Sequence, residues 1–171
     1  MAIRPGTHRD AESVAALHTR SWRTAYVGIM PDEYLNGPLL EDRLALWRDR
    51  LAGDRSDGQL FVLDGAAELL GFVYLLPRFD GRILLDNLHV RPDVKRGGIG
   101  GRLLRHGLAW AATTHPGRPV YLEVLRANTP AITFYERHGG RRTGERVAHF
   151  PQGFALPELE YTWAPAAFGS P

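Results

Sequence analysis

The sequence predicts a mixed α/β fold (α+β) in which helices cover a single sheet. Apolar residues recur at helical spacing over the first fifty positions and then alternate as in strands from Gln59 onward. The element order is β, α, α, three strands, α, β, α, β, β, which favours one sandwich over a doubly wound parallel sheet. The 171 residues, of which 44% are hydrophobic, suffice for one domain with a proper core.

A short strand and two helices are predicted for the N-terminal part. The strand covers residues 2–5, and Thr7 or Asp10 then offers an N-cap for a helix that continues to about Tyr26. The following segment is broken by glycine and proline and leaves room for a single helical turn at PDEYL. The second helix fits Leu39 to Leu51, where leucines and a tryptophan repeat at helical spacing.

The remainder predicts a strand meander followed by alternating helices and strands. Three antiparallel strands joined by short turns cover residues 59–64, 68–78 and 82–90. A helix opened by glycines follows over residues 98–114, then the buried strand VYLEVL and a short helix with Asn128 as its N-cap. The last two strands cover about residues 141–149 and 156–163.

Charge and composition exclude several classes of function. Twenty-one basic side chains face nineteen acidic ones, and a net charge of +2 is too small to predict binding to a nucleic-acid backbone. The absence of cysteine excludes disulfide scaffolds, thiol catalysis, zinc ribbons and iron–sulfur clusters. The polar start MAIRPGTHRD and the lack of a long apolar run predict neither a signal peptide nor a membrane partner. We therefore expect a cytoplasmic protein.

The most specific local pattern is LHVRPDVKRGGIGGRLL, in which a strand leads through a glycine-rich basic loop into a helix. Unpaired amides at a helix N-terminus, at the positive end of the helix dipole, suit a phosphate or pyrophosphate. A Walker loop would need lysine and then serine or threonine after the last glycine, where Gly101 and Arg102 stand. A Rossmann fingerprint would need a third glycine where Leu103 stands. An ordinary strand-to-helix turn is the remaining structural alternative.

The loop resembles the acetyl-CoA pyrophosphate loop of the GNAT superfamily of N-acetyltransferases. That pattern is Arg or Gln, two residues, Gly, one residue, then Gly or Ala, and it is filled here by Lys95, Arg96, Gly97, Gly98, Ile99 and Gly100. Lysine replaces the usual first residue, which keeps the charge but loses the bidentate geometry of arginine. A second motif of the family, Asn followed seven residues later by Tyr, is present as Asn128 and Tyr135. In the place of the aromatic residue that usually follows the next glycine, this chain has Gly140.

The resemblance implies a largely antiparallel sheet of six to seven strands flanked by about four helices. In that fold the strands carrying LHV and LEV splay apart, and the pantetheine arm lies between them. By analogy, the residues that bind acetyl-CoA are Leu88, His89 and Val90 at the pantetheine, Lys95, Arg96, Gly97, Gly98, Ile99, Gly100 and Gly101 at the pyrophosphate, and Asn128 and Tyr135. Asn128 could equally serve only as the helix cap.

One domain, residues 1–171, is expected, with three functional parts. Residues 1–52 would supply the start strand and the helices on the acceptor side, and residues 59–140 the acetyl-CoA-binding core. Residues 141–171 would supply the C-terminal strand pair and tail. No metal is expected in any of them.

Two carboxylates and one phenol are candidates for proton transfer. Tyr135 occupies the position that serves as general acid in many relatives, although it could instead be a core aromatic. Glu123 interrupts an apolar strand, where a bare carboxylate is costly to bury. The resemblance to the ribosomal-protein alanine acetyltransferase branch implies that Glu123 is the base, and the alternative is a carboxylate paired with arginine. Asp86 on the adjacent strand is the rival base, and His89 is a weaker candidate.

Acceptor-binding residues are the least defined by the sequence. Trp22 and Tyr26 near the break after the first helix could bind an ammonium group by cation–π contact, and His149 near the last hairpin is a further candidate. Each could equally be packing or a solvated side chain. The expected acceptor is a primary amine of a small molecule or a peptide.

Three functional hypotheses remain at the level of sequence. The leading one is an acetyl-CoA-dependent N-acetyltransferase with direct attack in a ternary complex, because no cysteine is present to carry a covalent intermediate. The second is a non-catalytic acyl-CoA-binding sensor or interaction module on the same fold. A third is a transferase that uses another acyl chain or acylates oxygen. Homodimers are common in the family, and the sequence leaves that assembly open.

Overall fold

The computed structural model describes residues 2–53, 58–94 and 97–165 and has the mixed α/β architecture that the sequence predicts. Within these ranges, the sheet is formed by seven strands: β1 (Ile3–Pro5), β2 (Gln59–Asp64), β3 (Leu69–Pro77), β4 (Ile83–Val90), β5 (Val120–Leu125), β6 (Arg141–His149) and β7 (Ala155–Trp163). The described α-helices are α1 (Ala11–Ala25), α2 (Asp32–Asn36), α3 (Leu39–Arg50), α4 (Ile99–Thr114) and α5 (Thr129–Arg137). The fifth helix, beyond the four expected, is the single turn α2 at PDEYL.

The sheet is divided at its centre by a pair of splayed strands. Its order is β1-β2-β3-β4-β5-β7-β6, and every neighbouring pair is antiparallel except β4 and β5. The parallel pairing of β4 with β5 is limited to two rungs, Ile83 with Val120 and Leu84 with Tyr121. The carboxyl-terminal halves of the two strands therefore lie apart, which confirms the predicted splay and leaves a gap lined by strand backbone.

A β-bulge lies in β4 at the edge of this gap. Tyr74 of β3 pairs with Asn87, whereas the next residue, Leu75, pairs with Leu85, so Asp86 is an extra residue without a partner in the ladder. Such a bulge bends the strand and redirects the side chain that it carries. The position of Asp86 is therefore set by strand register and not by simple alternation.

Helices cover both faces of the sheet. On one face, α1 and α3 pack their apolar residues around the fully buried Trp47, together with Phe72 and Tyr74 of β3. On the other face, α4 inserts the leucines Leu103 and Leu104, neither of which is exposed. Burial of one such leucine side chain contributes about 1.5–3 kcal/mol. The helices α1 and α4 thus cover the two faces of β3 and β4, the strands on one side of the gap.

Two negative findings concern the described residues. None of the helices in the described ranges is long and apolar enough to cross a membrane. The same ranges contain no cluster of three or more His, Cys, Asp or Glu residues that could hold a metal ion.

Candidate active site

The N-terminus of α4 presents free amides next to the gap. Gly98 is the N-cap at φ +74°, a conformation that glycine adopts without strain, and no side chain caps the helix there. The helical bonding begins with the amide of Arg102, which donates to the Gly98 carbonyl over 3.1 Å. The amides of Ile99, Gly100 and Gly101 therefore have no intrahelical acceptor, and they lie at the positive end of the dipole. This arrangement suits an anion.

The glycines of this loop lie in close contact with their surroundings. A Cβ atom on Gly100 would lie 3.3 Å from the Phe134 ring of α5 and 3.6 Å from Val90 Cγ2 of β4. A Cβ atom on Gly101 would lie 2.7 Å from Nε2 of His138. The loop is thus wedged between the end of β4 and α5, at the mouth of the gap. Lys95 and Arg96, which the sequence assigns to the same loop, lie outside the described residues.

The predicted pantetheine-binding segment forms one wall of the gap. Leu88, His89 and Val90 pair on their β3 side with Val73, Phe72 and Gly71. Their other edge lies beyond the two rungs that join β4 to β5. Backbone groups on that edge are available to an amide-rich ligand in the manner of an added strand.

Asn128 caps the helix that follows β5. Its side-chain oxygen accepts a hydrogen bond from the Ala131 amide over 3.4 Å, which is the N-cap contact of α5. Of the two roles left open by the sequence, the structure therefore contains the cap. The contact with a cofactor remains a prediction.

Glu123 lies on β5, opposite Glu160 of β7. Its Oε2 accepts a hydrogen bond from Nη2 of Arg146, a largely exposed side chain. Burial raises the pKa of the Glu123 carboxyl, the charge of Arg146 lowers it, and the charges of Glu158, Asp86 and Glu160 raise it further. The net direction is upward, as is expected for a proton acceptor that works near neutral pH.

Asp86 is held by α3 on the other side of the gap. Its Oδ2 accepts a hydrogen bond from Nη2 of Arg50 over 2.5 Å, and the same guanidinium donates to Asn87 Oδ1 over 2.8 Å. Because the charge of Asp86 contributes to the raised pKa of Glu123, the two carboxylates interact across the gap. Asp86 and Glu123 thus stand on the two strands that flank the gap, and which of them is the base remains a prediction.

Tyr135 lies on α5 with its ring against Phe134 and Trp163, at centroid distances of 5.3 and 6.0 Å. Burial raises the pKa of its hydroxyl, and the nearby Tyr26 raises it further. The phenol is therefore protonated at neutral pH and able to donate. Among the described residues, nothing forms a hydrogen bond with this hydroxyl.

An aromatic wall borders the site on the side of α1 and α2. Its side chains are in mutual edge or tilted contact and comprise Trp22, Tyr26, Tyr34 and Phe154. Burial raises the pKa of Tyr26 to about 12, and the charge of Glu158 adds to the shift. Trp22 and Tyr26 thus belong to one aromatic cluster, and their contact with an acceptor remains a prediction. His149 is exposed at the end of β6, and the described contacts do not join it to this wall.

Several polar residues of the site were missed by sequence reasoning. His18 is fully buried, its Nδ1 accepts a hydrogen bond from Trp47 Nε1 over 3.1 Å, and its Nε2 has no partner among the described residues. Arg43 lies over the Trp22 ring at 4.7 Å, and its buried Nε also has no partner. Arg43, Trp47 and Arg50 follow one another at intervals of four and three residues along α3, a signal that could have placed both arginines on one face.

Comparison with known proteins agrees with this geometry. The profile of the acetyltransferase (GNAT) family matches residues 14–140. A probable N-acetyltransferase of Mycobacterium tuberculosis is 28% identical over 163 residues, which cover 93% of this chain and 91% of that protein. An uncharacterized N-acetyltransferase of Bacillus subtilis is 25% identical over 169 residues, which cover 95% of this chain and 92% of that protein.

A solved structure shares the fold. The PaiA N-acetyltransferase of Thermoplasma acidophilum, solved in complex with coenzyme A, superposes with a TM-score of 0.72 at 20% identity. The superposition covers 95% of this chain and 100% of the Thermoplasma chain. Since the family profile spans most of the sequence and includes the glycine loop and the Asn128–Tyr135 pair, the chain belongs to the acetyltransferase (GNAT) family and is an enzyme of that family.

Proposed function

We propose that this enzyme transfers the acetyl group of acetyl-CoA to a primary amine of a small molecule or peptide, by direct attack in a ternary complex. The observation that carries the proposal is the gap between β4 and β5, which has the amides of α4 at its mouth and two interacting carboxylates inside. A structural neighbour with the same fold was solved in complex with coenzyme A, which supports acetyl-CoA as the donor.

Backbone groups of this chain would bind the donor. The free amides of Ile99, Gly100 and Gly101 fit the pyrophosphate, and the open edge of β4 at Leu88–Val90 fits the amides of pantetheine. An N–H group of that edge would also stabilise the oxyanion that forms when an amine attacks the thioester. Acetyl-CoA supplies the activated acyl group and a thiol leaving group.

Side chains of the gap would move two protons. As the amine nitrogen bonds to the carbonyl carbon and the carbon–sulfur bond breaks, Glu123 accepts the proton that the amine loses. The Tyr135 hydroxyl donates its proton to the departing sulfur. The raised pKa of Glu123 suits it to the role of base, and the anchoring of Asp86 by Arg50 gives that carboxylate a positioning role.

The first test pairs binding with turnover. We expect isothermal titration calorimetry to show that acetyl-CoA binds, and a panel of amino acids, polyamines and aminoglycosides at pH 8 to include an amine that releases free CoA. Binding without turnover of any amine would replace the enzyme mechanism by the acyl-CoA sensor. Absence of binding would remove the assignment of the glycine loop.

A substitution in the loop tests the donor site directly. We expect Gly100→Val to raise the Kd of acetyl-CoA at least tenfold, about 1.4 kcal/mol, because its side chain would press on Phe134 where a Cβ atom already lies 3.3 Å away. Gly144→Ala on β6 is the matched control, since its Cβ atom would meet its nearest neighbour at an ordinary 3.7 Å. Equal Kd values for both variants and the wild type would place the donor elsewhere.

A further inference from the structure

The layer formed by α1 and α3 contains two buried donor atoms, on Arg43 and His18, that have no acceptor among the described residues. We propose that the amine acceptor also carries a carboxylate, that Arg43 binds this carboxylate, and that the preferred acceptors are therefore amino-acid-like. The inference rests on the proposed acetyl transfer and specifies its substrate class.

Arg43 is the first of these donors. Its guanidinium stacks on Trp22 and its Nε is buried, yet it forms no hydrogen bond or ion pair with any described residue. Neighbouring arginines are satisfied: Arg50 binds Asp86 and Asn87, and Arg23 donates to the carbonyls of Leu35 and Gly37. A half-buried cation without a counter-ion is costly unless a ligand supplies the anion.

His18 is the second donor. Because its Nδ1 accepts the hydrogen bond of Trp47 Nε1, the neutral ring carries its proton on Nε2, the atom without a partner. Burial lowers the pKa of His18 well below its ordinary value, and the positive charges of Arg43 and Arg50 lower it further, so the ring is neutral. The side chain is fully buried and offers one N–H group.

The charge of the missing group follows from these two donors. Among the described residues, Arg43 contributes one positive charge without an ion pair, His18 contributes none, and the charge of Arg50 is matched by Asp86. A single negative charge with two acceptor oxygens, a carboxylate, balances this pair. A phosphate dianion would need a second uncompensated cation beside it.

The two donors lie beside Trp22, at the aromatic wall that borders the site. Both flank Trp22, His18 with its ring centroid 5.1 Å away and Arg43 with its guanidinium 4.7 Å away. The ring of His18 also lies 4.6 Å from that of His89, in the β4 segment assigned to pantetheine. On β5, Glu123, whose partner Arg146 is a largely exposed side chain, offers negative charge to the ammonium group. The site therefore has a cationic and an anionic side, as a zwitterionic acceptor requires.

Matched acceptors test the proposal. The twenty L-amino acids are compared with their α-amides, which keep the amine but lack the carboxylate, and with spermidine, by release of free CoA. We expect the best amino acid to exceed its amide at least tenfold in kcat/KM. The amide has the less basic amine, so a larger fraction of it is unprotonated and able to attack at pH 8, and without a carboxylate site the amide would be the better acceptor.

Variants of Arg43 assign the preference to this side chain. Arg43→Gln should raise the KM of the amino acid at least tenfold, leave kcat and the Kd of acetyl-CoA near their wild-type values, and abolish the advantage over the amide. Arg43→Lys, which keeps the charge, should retain the preference. The control is Arg48→Gln on the same helix, where the arginine is exposed and paired with Glu12.

Three results overturn the proposal: amides or polyamines as the better acceptors, an acid preference that survives in Arg43→Gln, or a preference lost equally in Arg48→Gln. Failure of the proposed acetyl transfer has a different signature. Acetyl-CoA would then not bind to the wild type, or no amine of any class would release CoA from it.

Discussion

Two carboxylates of this protein, each bound to arginine, have opposite pKa shifts. At the N-terminal corner, the carboxylate of Asp10 accepts hydrogen bonds from both terminal nitrogens of Arg4, at 3.0 and 2.8 Å. It also accepts one from the backbone amide of Thr7, at 2.7 Å. These donors hold the pKa of Asp10 below its ordinary value in spite of burial. In the gap, burial raises the pKa of Glu123 above its ordinary value although Arg146 contacts it.

The difference lies in how many donors each carboxylate has and how firmly they are held. Arg4 is fixed from both sides, since it also binds Asp64 of β2. Arg146 is a largely exposed side chain that is shared between Glu123 and Glu158. A carboxylate saturated with donors stabilises the fold, whereas one left short of donors in a buried place is a proton acceptor.

The largest expected effect is the loss of catalytic activity when Glu123, and not Asp10, is substituted. Glu123→Gln should lower kcat by about a hundredfold or more, the usual contribution of a general base, with little change in the free energy of unfolding. Asp86→Asn is compared beside it, because loss of a positioning carboxylate should reduce kcat less. A larger loss in Asp86→Asn would make Asp86 the base.

The next largest effect is the loss of folding stability when Asp10, and not Glu123, is substituted. Asp10→Asn should lower the free energy of unfolding by about 1–3 kcal/mol, because it weakens the bonds to Arg4 and leaves polar groups unpaired, while kcat stays near the wild-type value. Urea unfolding at pH 7 measures the change, and Glu12→Gln, on an exposed ion pair, is the control. An equal loss of unfolding free energy in both variants would show that Arg4 and Asp10 form an ordinary surface ion pair.

The same corner predicts the direction of acid unfolding. The pKa of Asp10 is lower in the folded than in the unfolded chain, so its contribution is complete above the unfolded value of about 3.9 and is lost as pH falls through the folded value. The stability difference between wild type and Asp10→Asn should therefore shrink as pH falls below about 4. A constant difference down to pH 2 would disprove the ionic origin.

The smallest expected effect is a change in the pKa of Glu123 when its partner Arg146 is substituted. Arg146→Gln takes away the positive charge that lowers the pKa of Glu123, so the acid limb of kcat/KM should move to higher pH by less than about one unit, as for an exposed partner. Arg142→Gln on the same strand, where the arginine binds Glu145, is the control. A shift to lower pH would contradict the assigned direction.

The fold could be predicted from the sequence where the signal is local. Alternation identified the strands from Gln59 onward, and the glycine loop with Asn128 and Tyr135 identified the family. The bulge at Asp86 was not predictable, because it depends on register with β3. The partners of the carboxylates were equally hidden, since Arg50 and Asp86 are 36 residues apart and Arg146 and Glu123 are 23 apart. The sequence also could not show that donor atoms of His18 and Arg43 lack a partner among the described residues, because this depends on how α1 and α3 pack together.

The most direct measurement is the pH dependence of kcat/KM for wild type and Glu123→Gln, followed by release of free CoA from acetyl-CoA. For the wild type, we predict an activity that falls on the acid side with a midpoint above the ordinary glutamate pKa of about 4.3, because the base must be ionised. That limb should be absent from the residual activity of Glu123→Gln. The same acid limb in both proteins would contradict the assignment of Glu123 as the base.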